Sequence, residues 1–152
     1  MTDKNQEQAT AVLPEPNPAL PDWYLQALVE TVNGKDIEFP ITLFVGGLIV
    51  SGQLTSGHKY FEGLGTQLTQ FFGGPSDDTT EIIRYFTFPG DAYTRNEKGA
   101  KIPPPQYIHL REAKIFTPGQ RPILAEGAWW RGRLACVDGF HFGLLSVAEN
   151  RD

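Results

Sequence analysis

Apolar residues recur at helical spacing in two stretches of the chain. Residues 21–33, PDWYLQALVETVN, carry one apolar stripe, and Asp22 can cap the first turn. Asn33-Gly34 then predicts that this helix ends in a left-handed residue. In residues 57–73, GHKYFEGLGTQLTQFFG, aromatic residues and leucines lie three and four positions apart, which predicts a second, amphipathic helix.

Alternation between apolar and polar positions predicts five strands elsewhere in the chain. Residues 36–55 alternate on both sides of Gly46-Gly47, and a two-residue glycine turn favours a hairpin. Asp138-Gly139 is the strongest hairpin signal in the sequence and predicts that the two strands beside it pair. The three strands predicted in the second half are residues 107–116, 128–137 and 140–147.

Successive hairpins predict the α+β class, with one small, strongly bent, five-stranded antiparallel sheet or a small barrel made from it. An N-terminal helix precedes the sheet, and residues 57–88 form a helical insertion between its strands. The second part of that insertion, residues 76–88, fits a helix or a strand that ends in YFTF. We predict a single domain over residues 21–148, with a disordered tail at 1–20 and a linker at 89–105.

Composition places the chain among globular proteins, since 40% of its 152 residues are hydrophobic and 20% are charged. The single Cys136 excludes an intramolecular disulfide framework and a multi-cysteine zinc site. Its alternating apolar neighbours predict a buried, inert thiol. The sequence has neither a stretch of roughly 18 apolar residues nor a secretory signal pattern, so we predict a cytoplasmic protein that does not span a membrane.

Charge is distributed unevenly along the chain, whose net charge is −5. Residues 1–94 carry a net charge of −8, and residues 95–133 carry +5. Opposite charges in two parts of one protein favour head-to-tail self-association or docking on a charged surface. An ordinary solvated surface gives the same pattern, and the basic residues form no dense run of the kind that binds nucleic acid.

The sequence predicts no catalytic, cofactor or metal site. Its histidines are His58, His109 and His141, and no two of them have the spacing of metal ligands. There is no glycine-rich phosphate loop, and Cys136 lacks the surrounding turn that would expose a nucleophile. A small hydrolase or a metal enzyme therefore has no specific support.

Trp129 and Trp130 are the most unusual local feature. Adjacent residues of a strand point to opposite faces, so one tryptophan can fill the core while the other lies on the outer face. Beside Arg131 and Arg133, an exposed tryptophan suits an interface hot spot or a stacking site for a base. The alternative is that both faces are covered, one of them by the helices. The predicted interaction surface consists of Trp129, Trp130, Arg131, Arg133, Tyr60, Phe61, Arg111 and Lys114.

Three segments carry long motifs in a fixed order. They are ITLFVGGLIVSGQLTSGHKYF (41–61), YIHLREAKIF (107–116) and WWRGRLACVDGFHFGLLS (129–146). These segments resemble the bacterial gas vesicle accessory protein family GvpU. The resemblance implies a non-enzymatic protein that acts in the assembly of gas vesicles, the hollow protein-walled buoyancy compartments, or in their association with one another. It also implies vesicle shell or accessory proteins as partners, a homo-oligomer, and a place beside the vesicles in the cytoplasm. It carries over no catalytic residues.

The order of the predicted elements is also similar to that of the Sm-like fold. In that fold an N-terminal helix precedes a bent five-stranded barrel, and a late strand carries Arg-Gly, here Arg131-Gly132. This second resemblance implies an oligomeric RNA-binding module as the alternative function. However, residues 57–106 intervene where Sm proteins have a tight turn, and the Asp-to-Asn signature of their uridine pocket is missing before Tyr107. Nucleic acid is therefore not the expected partner.

Overall fold

The structure is a computed structural model that describes residues 17, 19–94, 103–119, 122–123 and 126–146. Within these residues the chain confirms the α+β class, with an N-terminal helix, a five-stranded antiparallel sheet and a helical insertion. The α-helices are α1 Trp23–Lys35, α2 Gly57–Phe71 and α3 Asp77–Thr87, and two 3₁₀ helices span Phe88–Tyr93 and Leu134–Cys136. The strands are β1 Phe39–Val45, β2 Leu48–Thr55, β3 Tyr107–Phe116, β4 Ala128–Arg133 and β5 Gly139–Phe142.

The strand order across the sheet is β4-β3-β2-β1-β5, and the sheet does not close into a barrel. The hairpin predicted at Gly46-Gly47 is confirmed, because β1 pairs with β2 around it. The prediction of a hairpin at Asp138-Gly139 is wrong, because β5 pairs with β1 and therefore lies at the opposite edge of the sheet from β4. Asp138 instead docks on the first hairpin. Its backbone N–H donates to the carbonyl of Phe44 at 2.8 Å, and its carboxylate accepts from the N–H of Gly46 at 3.0 Å.

Both C-terminal strands are shorter than predicted. β4 ends at Arg133, because the chain then turns into the 3₁₀ helix Leu134–Cys136. β5 ends at Phe142, and the next residue, Gly143, has a φ of 107° that does not continue a strand. The predicted burial of Cys136 is also wrong. Its side chain is exposed, since it lies in the 3₁₀ helix and not on an alternating strand.

A bulge disrupts the sheet where β2 and β3 pair beside Gly52. On β3, Glu112 has a φ of 52°, a backbone conformation that is rare outside glycine. Gly52 has almost no free space, because a Cβ there would meet the carbonyl oxygen of Arg111 at 2.9 Å and Cα of Ala113 at 3.0 Å. Bulges bend the bulged strand and increase the local twist, so a glycine at position 52 lets the two backbones approach at the bend.

α1 covers one face of the sheet. Asp22 caps it as predicted, by accepting from the N–H of Tyr24 at 2.9 Å. The predicted left-handed stop at Asn33-Gly34 is wrong, because the helix continues and the left-handed residue is Asp36, with a φ of 53°. The Asn33 side chain instead accepts from the first backbone N–H of α2 at 3.0 Å. The core between α1 and the sheet consists of Leu25, Val29, Val32, Ile41, Leu43, Val50, Leu54, Ile108, Leu110, Ala113 and Leu134.

α2, α3 and the first 3₁₀ helix form the insertion, and α2 packs against β3 and β4 on the face opposite α1. Residues 76–88 adopt the helical alternative. Ser76 and Thr79 form a capping box at the start of α3, because each side chain accepts from the other residue's backbone N–H.

The predicted tail and the predicted linker lie partly outside the described residues. The predicted linker 89–105 begins within the 3₁₀ helix Phe88–Tyr93, so its first residues are an ordered part of the insertion. Residues 95–102 of that linker, and residues 1–16 of the predicted tail, lie outside the part of the chain that the structure describes.

Candidate interaction surface

A group of aromatic rings surrounds one histidine between α2 and the sheet. His109 of β3 is fully buried at its centre. The ring centroids of Tyr60, Phe61 and Tyr93 lie 4.7, 6.1 and 5.5 Å from that of His109. We name the group the His109 cluster, and its members are Tyr60, Phe61, Tyr93, Tyr107, His109, Trp129 and Arg131.

Arg131 joins the His109 cluster from the neighbouring strand β4. One of its terminal nitrogens donates to Nε2 of His109 at 2.6 Å, and its guanidinium carbon lies 3.7 Å from the centroid of the Tyr107 ring. Because arginine carries only donors, Nε2 accepts and the ring proton is on Nδ1. Within the described residues, Nδ1 of His109 and Oγ1 of Thr55, the residue opposite it on β2, are buried without a hydrogen-bond partner.

The positive charge of the His109 cluster is carried by Arg131 alone at neutral pH. Burial, and secondly the charge of Arg131, lower the pKa of His109 to about 3. Burial also raises the pKa of Tyr60, which keeps its phenol neutral. The folded protein therefore holds His109 as the neutral imidazole, which can accept the hydrogen bond from Arg131.

We expect the stability of the protein to fall as the pH decreases below about 6.5. The folded pKa of His109, about 3, lies below its unfolded value. Below about pH 6.5, His109 therefore binds a proton in the unfolded chain but not in the folded protein. The free energy of unfolding then decreases progressively as the pH falls toward the folded pKa. In that range the free energy of unfolding changes by about 1.4 kcal/mol per pH unit. Urea unfolding at pH 7.5 and 5.5, a range above most carboxyl titrations, measures it.

The matched variant for this measurement is His109→Gln, whose side chain does not titrate. The variant is less stable at both pH values, but its loss of stability between pH 7.5 and 5.5 should be smaller than that of the wild type by about 1.4 kcal/mol. Proton NMR of the wild-type His109 ring provides a second readout if the variant does not fold. A His109 resonance that titrates with a midpoint near 6.5 would contradict the prediction.

The two tryptophans lie on opposite faces of β4, and both faces are covered. Trp130 packs against the core beneath α1. Trp129 lies under α2, so close that a Cβ on Gly63 would fall 2.1 Å from its ring. The Trp129 ring also meets that of Tyr60 edge to face, with centroids 6.2 Å apart. Both side chains are half-buried, so the alternative in which the helices cover the second face describes this structure.

An ionic cluster joins the start of β1 to α2 and β3. Glu38 accepts from Nζ of Lys59 at 3.0 Å and from Nε of Arg111. Lys59 also contacts Asp36 at 3.1 Å, and Arg111 contacts Glu112 at 3.3 Å. Burial by itself raises the pKa of Glu38, but the hydrogen bonds from Arg111 and Lys59 outweigh burial and lower it. The hydrogen bond to Glu38 in turn raises the pKa of both cations.

An open groove of about 500 Å³ lies between α2 and the bulged part of β3. Two predicted surface residues, Arg111 and Trp129, line this groove together. Its other walls carry both charged and neutral polar groups. We name it the α2–β3 groove, and its further lining includes Gly63, Thr66, Gln70, Glu112 and Glu126.

The other six predicted surface residues divide into two groups. Arg133 is exposed and Lys114 is half-buried, and neither lines the α2–β3 groove. The remaining four pack within the protein, in the His109 cluster or against the core, and they are Tyr60, Phe61, Trp130 and Arg131. The structure thus brings most of the eight residues to one side of the sheet. That these eight residues bind a partner remains a prediction.

An exposed apolar face on α3 was not among the predicted surfaces. Large parts of Ile82, Tyr85, Phe86 and Phe88 are exposed, with Tyr85 the most exposed at 74%. We name these four residues the α3 aromatic face. The helical alternative for residues 76–88 contains the signal for it, because residues 82, 85 and 86 share one side of a helix.

No group of three or more His, Cys, Asp or Glu residues within the described ranges could hold a metal ion. No described helix is long and apolar enough to cross a membrane.

A family model for gas vesicle proteins, described as GvpU-like, matches residues 22–145. The chain belongs to the GvpU-like family. The match begins at the N-cap of α1 and ends just beyond β5, so it covers every α-helix and strand described above. Neither a curated protein nor a solved structure is significantly similar to this chain.

Membership in the GvpU-like family links the chain to gas vesicles. The segments that carry the resemblance are unevenly placed in the fold. Residues 41–61, 107–116 and 129–146 supply nearly the whole sheet, the first turn of α2 and most of the His109 cluster. α3 lies within the family match but in none of the three segments. The sheet and the His109 cluster therefore contain most of the residues on which the resemblance to the GvpU-like family rests.

Proposed function

We propose that this GvpU-like protein is a non-enzymatic accessory protein of gas vesicles. It acts in vesicle assembly or in the association of vesicles with one another, through contacts with vesicle shell or accessory proteins and with other copies of itself. The observation that carries the proposal is the family match over residues 22–145, which spans the complete described fold and not one motif. The proposed location is the cytoplasm, at the vesicle surface.

The α2–β3 groove is the place proposed for contact with a vesicle protein. Arg111 and Trp129 line it together, which puts a cation and a large aromatic ring in one concave site. Aromatic residues and arginines supply much of the binding energy at protein interfaces. Glu112 and Glu126 add negative charge to the same walls, so a partner segment with both charged and apolar side chains suits the groove.

Proteins, and not nucleic acids, are the proposed partners. Two of the basic residues in the predicted surface already have partners, since Arg111 pairs with Glu38 and Arg131 donates to His109. Both guanidiniums therefore have fewer N–H donors left for a phosphate. The open sheet also differs from the closed barrel that the Sm-like alternative requires.

Flotation tests the proposal directly. Purified protein is mixed with isolated gas vesicles and centrifuged, and we expect the protein to rise with the vesicle layer. A protein that stays in the lower fraction and leaves vesicle clustering unchanged would overturn the proposed function. RNA added to the mixture is expected to leave the floating fraction unchanged.

Two matched threonines test the role of the α2–β3 groove. Thr66 lies on its wall and Thr31 lies on α1, and both are exposed helical residues whose hydroxyl donates to the carbonyl four residues earlier. Thr66→Arg should reduce the floating fraction several-fold, because the long side chain obstructs the groove. Thr31→Arg should float like the wild type. Equal flotation of both variants would place the vesicle contact elsewhere on the protein.

A further inference from the structure

α3 packs with two threonines and one isoleucine inward, and its two aromatic residues lie on the outside. Thr79, Ile83 and Thr87 are its partly buried residues. The last two lie near Gly65 of α2, where a Cβ would be 3.7 and 3.4 Å from them. No residue of α3 is fully buried.

The α3 aromatic face presents three neighbouring rings and one isoleucine to solvent. Ile82 is 45%, Phe86 52% and Phe88 61% exposed. The Tyr85 ring contacts those of Phe86 and Phe88, with centroids 5.8 and 6.4 Å apart, so the rings form one surface. Burial of such side chains is favourable, and monomeric soluble proteins rarely expose large contiguous apolar patches. This face is therefore suited to a partner.

The charges along α3 indicate what the partner is. Its first turn is acidic, with Asp77 and Asp78, followed by Glu81, and its last turn carries Arg84. Two copies of such a helix are complementary when they lie antiparallel, because the acidic end of each then lies beside the basic end of the other. The two helix dipoles also oppose each other in this arrangement, which is favourable.

We propose that the α3 aromatic face docks on the same face of a second copy of this chain, with the two α3 helices antiparallel about a two-fold axis. Such an isologous contact uses one patch on both subunits and closes at the dimer. With 1.5 Å of rise per residue, an axis near the middle of α3 brings Glu81 of one helix within about 5 Å, along the helix axis, of Arg84 of the other. The contact rests on the self-association in the proposed function and supplies its surface.

The test is the mass of the full chain in solution, without vesicles, by sedimentation over a concentration series. The wild type is expected to be a dimer in the upper part of the series, at roughly tens of micromolar. Tyr85→Ser should raise the dissociation constant at least tenfold. Leu144→Ser is the matched control, because Leu144 is also an exposed apolar residue, at 55%, but lies outside α3. It should leave the mass unchanged.

Charge reversal tests the antiparallel orientation. Glu81→Arg alone and Arg84→Glu alone should each weaken the dimer, and the double variant Glu81→Arg/Arg84→Glu should restore it. Circular dichroism of each variant checks that α3 still folds. A double variant as weak as the single ones would overturn the antiparallel arrangement.

The outcomes separate this inference from the proposed function. A wild type that is monomeric at all concentrations, or an oligomer whose mass Tyr85→Ser does not change, overturns docking through α3. If the wild type is monomeric and Tyr85→Ser abolishes flotation with vesicles, the face binds a vesicle protein and the self-docking proposal is wrong. If the wild type dimerises through Tyr85 but does not float, self-docking is supported and the vesicle function fails.

Discussion

Replacement of Gly52 by alanine is expected to destabilise the protein by about 3 kcal/mol, the upper part of the range for overpacking in a core. The added Cβ would meet the carbonyl oxygen of Arg111 at 2.9 Å and Cα of Ala113 at 3.0 Å. Both atoms belong to the backbone of β3, so no side chain can rotate away. The clash can be removed only if β2 and β3 separate at the bulge, in the middle of the sheet. Urea unfolding at pH 7.5 measures the change.

Gly139 is the matched control for Gly52, because it also lies in a strand of the same sheet. A Cβ at Gly139 has no atom within 4 Å. We expect Gly139→Ala to be neutral or slightly stabilising, since alanine reduces the conformational entropy of the unfolded chain. If both alanine variants were equally stable, the close approach of β2 and β3 at Gly52 would be wrong.

Glu38→Gln is expected to cost about 2 kcal/mol at low salt, because it removes the one charge that Lys59 and Arg111 share. Glutamine keeps the shape of the side chain, so the change isolates its charge. Only 20% of the Glu38 side chain is exposed, and about a third of each cation is exposed. Solvent therefore screens this cluster less than a surface pair. Unfolding in low and high salt gives the size of the effect.

The control for Glu38→Gln is the same substitution at Glu112, the other carboxylate that contacts Arg111. The Glu112 side chain is 70% exposed, so its ion pair belongs to the class of surface pairs that contribute little. We expect Glu112→Gln to cost less than about 0.5 kcal/mol. Equal losses from the two substitutions would mean that Glu38 has no special role in joining β1 to α2.

Local patterns determined most of the fold that could be predicted. The first hairpin follows from Gly46-Gly47 and the alternation around it, α1 and α2 follow from helical periodicity, and the start of α1 follows from its cap Asp22. The error at Asp138-Gly139 has a different origin. Neither Asp138 nor Gly139 has the positive φ that a two-residue hairpin turn needs, and the hydrogen bonds between Asp138 and the first hairpin direct β5 to β1. Short-range patterns contain no information on which distant edge a strand joins.

The candidate surface was predictable only in part for the same reason. The sequence shows that Trp129 and Trp130 face opposite sides of a strand, but α2, which comes some sixty residues earlier, decides that both sides are covered. The partners of Arg111 and Arg131 also come from other elements. The exposed face of α3 depends on which side of that helix packs on α2. Periodicity detects an amphipathic helix but does not show whether its apolar side is buried.

The position of β5 has a consequence for how the chain folds. Ile41 pairs with Phe142, roughly a hundred residues later in the sequence, so closure of this contact carries a large entropic cost that local helix formation does not. The helical insertion makes mostly short-range contacts between α2 and α3 and can form early. On the ribosome, one edge of β1 therefore stays unpaired until β5, roughly a hundred residues further along the chain, has been synthesised. Docking of β5 is then the late step that completes the sheet.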